Sequence, residues 1–197
     1  MKLEDNAALL IIDMQKGIAH PVGARRNNPG AEQQVEALLQ AWRASRRPLV
    51  HVRHVSRSAD SVFRPGQPGC EFQEALAPLG DEQVVEKNVP DAFIASGLER
   101  WLHVRGIRQL VVCGVATNNS LEATARTGGN LGFDVVVAAD ACYAFDLVGR
   151  DGRRWAAEEV HAISLANLAM DYARVLDTAD VLAACRGVRP PPSSAGS

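Results

Sequence analysis

The 197-residue chain has no surplus of either charge: 21 basic side chains stand against 23 acidic ones, a formal net charge of -2. That balance removes the electrostatic reason to expect nucleic acid or an anionic membrane as a partner. No CxxC pair is present, and Cys70, Cys113, Cys142 and Cys185 are scattered. Neither a zinc ribbon nor a disulfide framework is indicated, and reduced thiols in a cytosol are expected. The five histidines, His20, His51, His54, His103 and His161, show no HExxH spacing, so no metal is expected. No window approaches the ~18 consecutive apolar residues of a membrane span. The apolar stretch Ala7 to Ile12, placed directly behind Glu4 and Asp5, is too short for a secretory core. A soluble, cytoplasmic protein is the expectation. The first apolar run continues as Met14-Gln15-Lys16-Gly17, with neither a GxGxxG turn nor a Walker lysine, so no nucleotide cofactor is expected.

What is present is the alternation of an α/β domain. Apolar, β-leaning runs recur at Ala7 to Asp13, Leu49 to Val55, Gln109 to Gly114 and Val135 to Ala139, with weaker ones at Val84 to Glu86 and Ala173 to Leu176. Several are apolar on both alternating faces, the pattern of a parallel sheet covered on each side. Between them lie helical periods. Ala31, Val35, Leu38, Leu39 and Trp42 mark one face of a helix ending before Pro48. Leu98, Trp101 and Leu102 mark a second, stopped near Gly106. A third follows Gly114, with Thr117 or Asn118 as its N-cap, and closes at Gly132. The stretch from Arg154 to Met170 is helix-compatible, with Ala157, Val160, Ile163, Ala166 and Met170 as its apolar face. The reading is one three-layer α/β/α, Rossmann-like domain over residues 1–188 with a mainly parallel sheet of about six strands, followed by a disordered Pro/Ser tail over 189–197.

In such sheets ligands bind beyond the carboxyl ends of the strands. Asp13 ends the first run after four apolar residues, where poor solvation raises a carboxyl pKa unless a cation sits nearby. Lys87, at the end of Val84-Val85-Glu86, can supply that cation, although a lysine after a strand is by itself more often a solvated surface group. Ser120 falls in the first turn of the helix after Gly114, where N–H groups and the positive end of the helix dipole converge. There it can support an oxyanion or act as a nucleophile, or simply bond a backbone donor. His51 and His54, three positions apart in a strand, point to opposite faces, which gives His54 a structural or pocket role. Gln15, His54, Phe93 and Tyr143 are candidates for the substrate pocket, with Phe63, Arg64, Phe145 and Trp155 behind them. Gly128 and Gly129, mid-helix at a cost of ~1 kcal/mol each, imply close packing against another backbone, in this chain or in a second subunit of a homo-oligomer.

These residues also carry a resemblance. Leu-Leu-Ile-Ile-Asp-Met-Gln15, Lys87-Asn-Val-Pro-Asp-Ala-Phe93, Gly114-Val-Ala-Thr117, Gly-Asn-Leu-Gly-Phe133 and Ala139-Asp-Ala141, in that order, resemble the isochorismatase-like, or cysteine hydrolase, superfamily, which includes nicotinamidases, ureido-type amidohydrolases and isochorismatases. The resemblance implies a small-molecule hydrolase with Asp13 as general base, Lys87 as its charged partner and position 120 as nucleophile. It further implies a cis peptide at Val115–Ala116 and an oxyanion hole formed from Val115, Ala116 and Ser120. The family's nucleophile is a cysteine, and here position 120 is serine. A serine hydroxyl is too weak an acid for a helix terminus and a cation to ionise as they ionise a thiol, so it needs a base in the transition state. Slow hydrolysis of an amide or ureido bond is therefore expected. The alternatives are vinyl-ether hydrolysis with Asp13 as acid and no nucleophile, or a silent small-molecule binder. Where nicotinamidases carry the aspartate and histidines that hold their metal, this chain has Arg53-His-Val-Ser-Arg-Ser58, with one histidine and no aspartate, which disfavours both metal and nicotinamidase activity.

Overall fold

The computed structural model describes residues 2–19 and 25–187. Six parallel strands form the central sheet: β1 (Ala8–Ile12), β2 (Leu49–His54), β3 (Gln83–Lys87), β4 (Gln109–Val115), β5 (Asp134–Tyr143) and, after a small hairpin, β8 (Arg174–Leu176), in the order β3-β2-β1-β4-β5-β8. Every residue of β1 and of β4 is buried, because helices cover both faces and the alternating side chains have no solvent to meet. All six expected runs are strands. β5 continues four residues past Ala139, to Tyr143, through a register shift between Val112 and Gly114 of its neighbour.

The helices are α1 (Ala31–Ser45), α2 (Leu98–Val104), α3 (Glu122–Asn130), α4 (Ala157–Asp171) and α5 (Thr178–Cys185). α1 buries the predicted stripe Ala31, Val35, Leu38, Leu39 and Trp42, and the Trp42 indole donates to the carbonyl of Ala7 at 2.9 Å, pinning the helix to the entry of β1. Three expectations about the helices need correction, and a fourth point escaped the sequence altogether. α3 has no Thr117 or Asn118 side-chain cap. A single π-type turn over Thr117–Leu121 leads into it, and the carbonyl of Ala116 accepts from the N–H groups of Asn119 and Leu121. Arg154 and Trp155 do not open α4; they form β7 (Arg154–Trp155), paired antiparallel with β6 (Leu147–Val148). α4 buries Ala157, Val160, Ser164 and Leu168, leaving Ile163, Ala166 and Met170 exposed. The helix is apolar on nearly every side, so periodicity could not say which face is inner. The fourth is α5, short and without a distinctive period, which had no signal in the sequence reading.

Gly129 packs against the backbone of Tyr172 in the same chain: a Cβ there would lie 2.7 Å from the Tyr172 carbonyl oxygen. Gly128 meets Val135, Phe93 and Leu110. The two glycines thus serve the seating of α3 on the sheet, and no second subunit is needed to account for them. The expected Pro/Ser tail lies outside the described residues, as does His20. Among the described residues no helix is long and apolar enough to cross a membrane.

Candidate active site

The strand order reverses direction between β1 and β4, the place where open α/β sheets bind ligands beyond the carboxyl ends of their strands. Asp13 leaves β1 with φ 52°, a left-handed conformation uncommon outside glycine, which turns its side chain over the sheet edge. The close approach of β4 at this level depends on Gly114, paired with Ile12, where a Cβ would sit 2.2 Å from the Ile12 carbonyl oxygen. The next peptide bond, Val115–Ala116, is cis, and the π-type turn that follows presents Ser120.

Lys87 comes from β3, two strands away from β1, a span of roughly 10 Å that its long stem and the Asp13 side chain close together. Its Nζ donates to Asp13 Oδ2 at 2.6 Å and to Ser120 Oγ at 3.3 Å. All three residues are buried, Ser120 the most open at 7% exposure. Asp13 Oδ1 is also buried and has no hydrogen-bond partner among the described residues. Burial pushes the Asp13 carboxyl above its usual range, while Lys87 and Ser120 oppose that shift without cancelling it. The lysine comes from a firmly held segment. Thr127 of α3 donates to Asp91 at 2.5 Å, and the N–H of Ala92 donates to Thr124 at 3.0 Å, so residues 88–93 are fastened to the helix that follows Ser120.

Of the expected pocket residues, His54 lies beside the ion pair. Burial and the neighbouring Lys87 charge lower its pKa, and Phe63 contacts its ring edge-on, the ring centres 5.8 Å apart. The other three are engaged in packing or backbone hydrogen bonds. Gln15 is fully buried, and its amide is consumed by the backbone: Nε2 donates to the carbonyls of His54 and Cys70, and Oε1 accepts from the N–H of His54. It clamps two loops. Phe93 stacks on Phe133 and touches the face of α3 at Gly128, two turns away from Ser120. Tyr143 is fully buried, sandwiched between Phe145 and the Arg26 guanidinium, 4.1 Å above its ring. In each case an apolar or amide side chain at a strand end was claimed by packing. Trp155 is likewise elsewhere, on the β6–β7 hairpin.

A group of residues that sequence reasoning missed supports the turn that carries Ser120 from α4. Ser164 Oγ lies 3.0 Å from the carbonyl oxygen of Thr117 and 2.5 Å from a carboxylate oxygen of Glu122, with its single hydrogen shared between the two acceptors. His161 Nδ1 lies 2.8 Å from Thr117 Oγ1, and burial lowers its pKa. Nothing in the sequence distinguishes a serine and a histidine on an apolar helix as props for a turn some forty positions earlier. Among the described residues no three potential ligands come together to hold a metal ion.

Comparison with known proteins agrees with this fold. The model of the isochorismatase domain matches residues 7–180. The chain is 48% identical to a hydrolase of the isochorismatase family from Chromobacterium violaceum, whose crystal structure superposes with a TM-score of 0.93 over 95% of this chain and 98% of that one. It is 32% identical to the isochorismatase family protein YrdC of Bacillus subtilis, over 89% of this chain and 94% of that protein. Nicotinamidase 3 of Arabidopsis thaliana is 30% identical over 87% of this chain and 84% of its own length.

Proposed function

The chain belongs to the isochorismatase family of hydrolases, and from that premise we propose that it hydrolyses a C–N bond, amide or ureido, in a small molecule by acyl transfer through Ser120. One observation carries the reading: Lys87 Nζ bridges Asp13 Oδ2 and Ser120 Oγ, while the second Asp13 oxygen is buried and unpartnered. A serine needs a base, and a carboxylate whose proton affinity is raised by burial is a better one than an exposed aspartate. In the proposed sequence Asp13 takes the Ser120 hydroxyl proton as Oγ attacks the carbonyl carbon. The backbone N–H groups of Ala116 and Ser120 receive the oxyanion. Collapse of the tetrahedral intermediate breaks the C–N bond, and the leaving nitrogen takes the proton from Asp13. Water, deprotonated by the same carboxylate, then hydrolyses the ester and returns the proton to Ser120. Lys87 keeps Asp13 ionised before the attack and balances the charge that develops after it. The amide-hydrolysing relative supports the bond type, while Arg53-His54-Val55 at the end of β2 argues for a substrate other than nicotinamide.

Vinyl-ether hydrolysis is the second reading, favoured by the same open Asp13 oxygen and by the missing thiol, because an acid and water then suffice. Ser120→Cys separates the two. With acyl transfer, the thiol restores a nucleophile that the helix start and Lys87 can ionise, so turnover of an amide or ureide rises and neutral-pH iodoacetamide labels the site faster than a surface thiol. With vinyl-ether chemistry, turnover of isochorismate stays level or falls in Ser120→Cys and is retained in Ser120→Ala. Amide turnover retained in Ser120→Ala, with no gain in Ser120→Cys, overturns the nucleophilic role.

A further inference from the structure

We propose that His161 is a positioning residue for the Ser120 turn, and that it acts through Thr117 as a single tautomer, protonated on Nδ1, which Asn28 imposes. The inference rests on the reading of Ser120 as the reacting side chain. Thr117 is fully buried and lies three positions before Ser120. It directly follows Ala116, whose N–H is one of the two proposed to receive the oxyanion. Both polar ends of Thr117 are held. Its carbonyl accepts from the N–H of Glu122 and from the Ser164 hydroxyl, while its Oγ1 lies 2.8 Å from His161 Nδ1.

The opposite edge of the ring fixes which nitrogen carries the proton. His161 Nε2 lies 3.4 Å from Asn28 Nδ2, and that amide nitrogen also faces the carbonyl oxygens of Cys142 at 2.6 Å and Ala139 at 3.2 Å. Two carbonyl oxygens admit only the NH2 end of the amide, so Asn28 cannot turn its own oxygen toward the ring. Nε2 therefore meets donor hydrogens and is the bare, accepting nitrogen. The proton of the neutral imidazole sits on Nδ1 and is donated to Thr117 Oγ1. Asn28 is itself fastened. Its φ of 43° is a left-handed conformation that asparagine tolerates, and its carbonyl accepts from the N–H of Ala31 at the start of α1. Its neighbour Asn27 exchanges hydrogen bonds with the backbone of Ala144, just past β5. A chain of contacts thus runs from the end of β5 through Asn28 and the imidazole to the turn that carries Ser120. Without the ring, the Thr117 side chain loses its tether while its carbonyl stays held. The turn can then pivot about that carbonyl and carry the Ser120 side chain and the Ala116 N–H out of line with a substrate, and small misplacements of reacting atoms cost rate far more than stability.

Two measurements test this. Nitrogen NMR of the isotopically labelled full chain, with His161→Ala used to assign the signals, reads the tautomer without any substrate. A proton on Nδ1 and a bare Nε2 are expected, and a proton on Nε2 overturns the proposal. In a Ser120→Cys background, the rate of iodoacetamide alkylation at neutral pH reads the placement of position 120. His161→Ala and Thr117→Val should each slow it about tenfold, the effect of one lost positioning hydrogen bond, and the two together should slow it no further, because they act in series. His161→Asn, whose amide nitrogen stands where Nδ1 stood, should restore most of the rate, whereas His161→Gln, whose amide reaches the Nε2 position, should not. An unchanged rate in His161→Ala, losses that add with Thr117→Val, or equal slowing by asparagine and glutamine, as a merely structural role would give, overturns the proposal. A Ser120→Cys thiol that labels no faster than a surface thiol while His161 is intact instead removes the nucleophile reading, and this proposal with it.

Discussion

The two ends of β3 hold two buried ionic clusters of opposite character. At the amino end, Glu82 accepts from both Arg43 Nε and Nη2, at 2.7 and 2.9 Å, from the N–H of Leu79 at 2.9 Å, and shares a 3.0 Å hydrogen bond with His51 Nε2. At the carboxyl end, Asp13 has Lys87 on one oxygen and no partner on the other. Burial raises the proton affinity of both carboxyls. At Glu82 the Arg43 guanidinium, the Leu79 N–H and His51 overcome it and bring the pKa down to about 2, whereas at Asp13 burial wins. A carboxylate with both oxygens engaged fastens α1 to β2 and β3. One left half-satisfied keeps an appetite for a proton, which is what a general base requires.

The largest expected effect breaks the reactive cluster. Asp13→Asn should lower turnover roughly 10²- to 10⁴-fold, the usual contribution of a positioned base. In the wild type the acid limb of the pH–rate profile should lie above the ordinary aspartate value of 3.8. Full turnover in Asp13→Asn, or an acid limb at or below 3.8, would dissolve the contrast.

Glu82→Gln should do the reverse, keeping turnover while losing about 1–3 kcal/mol of stability in urea unfolding. Its pH dependence has a definite sign. The folded value of about 2 lies below the ordinary 4.5, so the Glu82 charge stabilises the fold above pH 4.5, and that contribution drains away as pH falls from 4.5 toward 2. Melting temperature measured against pH should lose that slope in Glu82→Gln. Asp13 contributes with the opposite sign: its raised pKa favours the folded state at low pH, and that contribution is lost as pH rises past 3.8.

The smallest effect sharpens the comparison at the loop behind Lys87. Asp91→Ala removes the bonds to Thr127 and to the N–H of Phe93, at a cost of about 1 kcal/mol. It should lower turnover more than thermal stability, because it loosens the segment that positions the lysine. Steady-state kinetics beside a thermal melt checks this, and a loss of stability with unchanged turnover would place Asp91 with the structural cluster.

The sequence by itself determined the layers, the six strands and the strand-end positions Asp13, Lys87 and Ser120, because two-sided apolar runs admit only a covered parallel sheet and such a sheet gathers its strand ends along one edge. Tertiary structure alone decided the rest. It turned Gln15, Phe93 and Tyr143 into packing, since a residue at a strand end can face a pocket, a helix or a neighbouring loop with the same local pattern. It chose which side of α4 faces the sheet, since a helix apolar all round has no periodicity to read. It enlisted Ser164 and His161 to hold the Thr117 turn, and it separated the satisfied Glu82 from the open Asp13. Hydrogen bonds between residues some forty or seventy positions apart leave no local period in the chain, so only the folded arrangement distinguishes a structural charge from a reactive one.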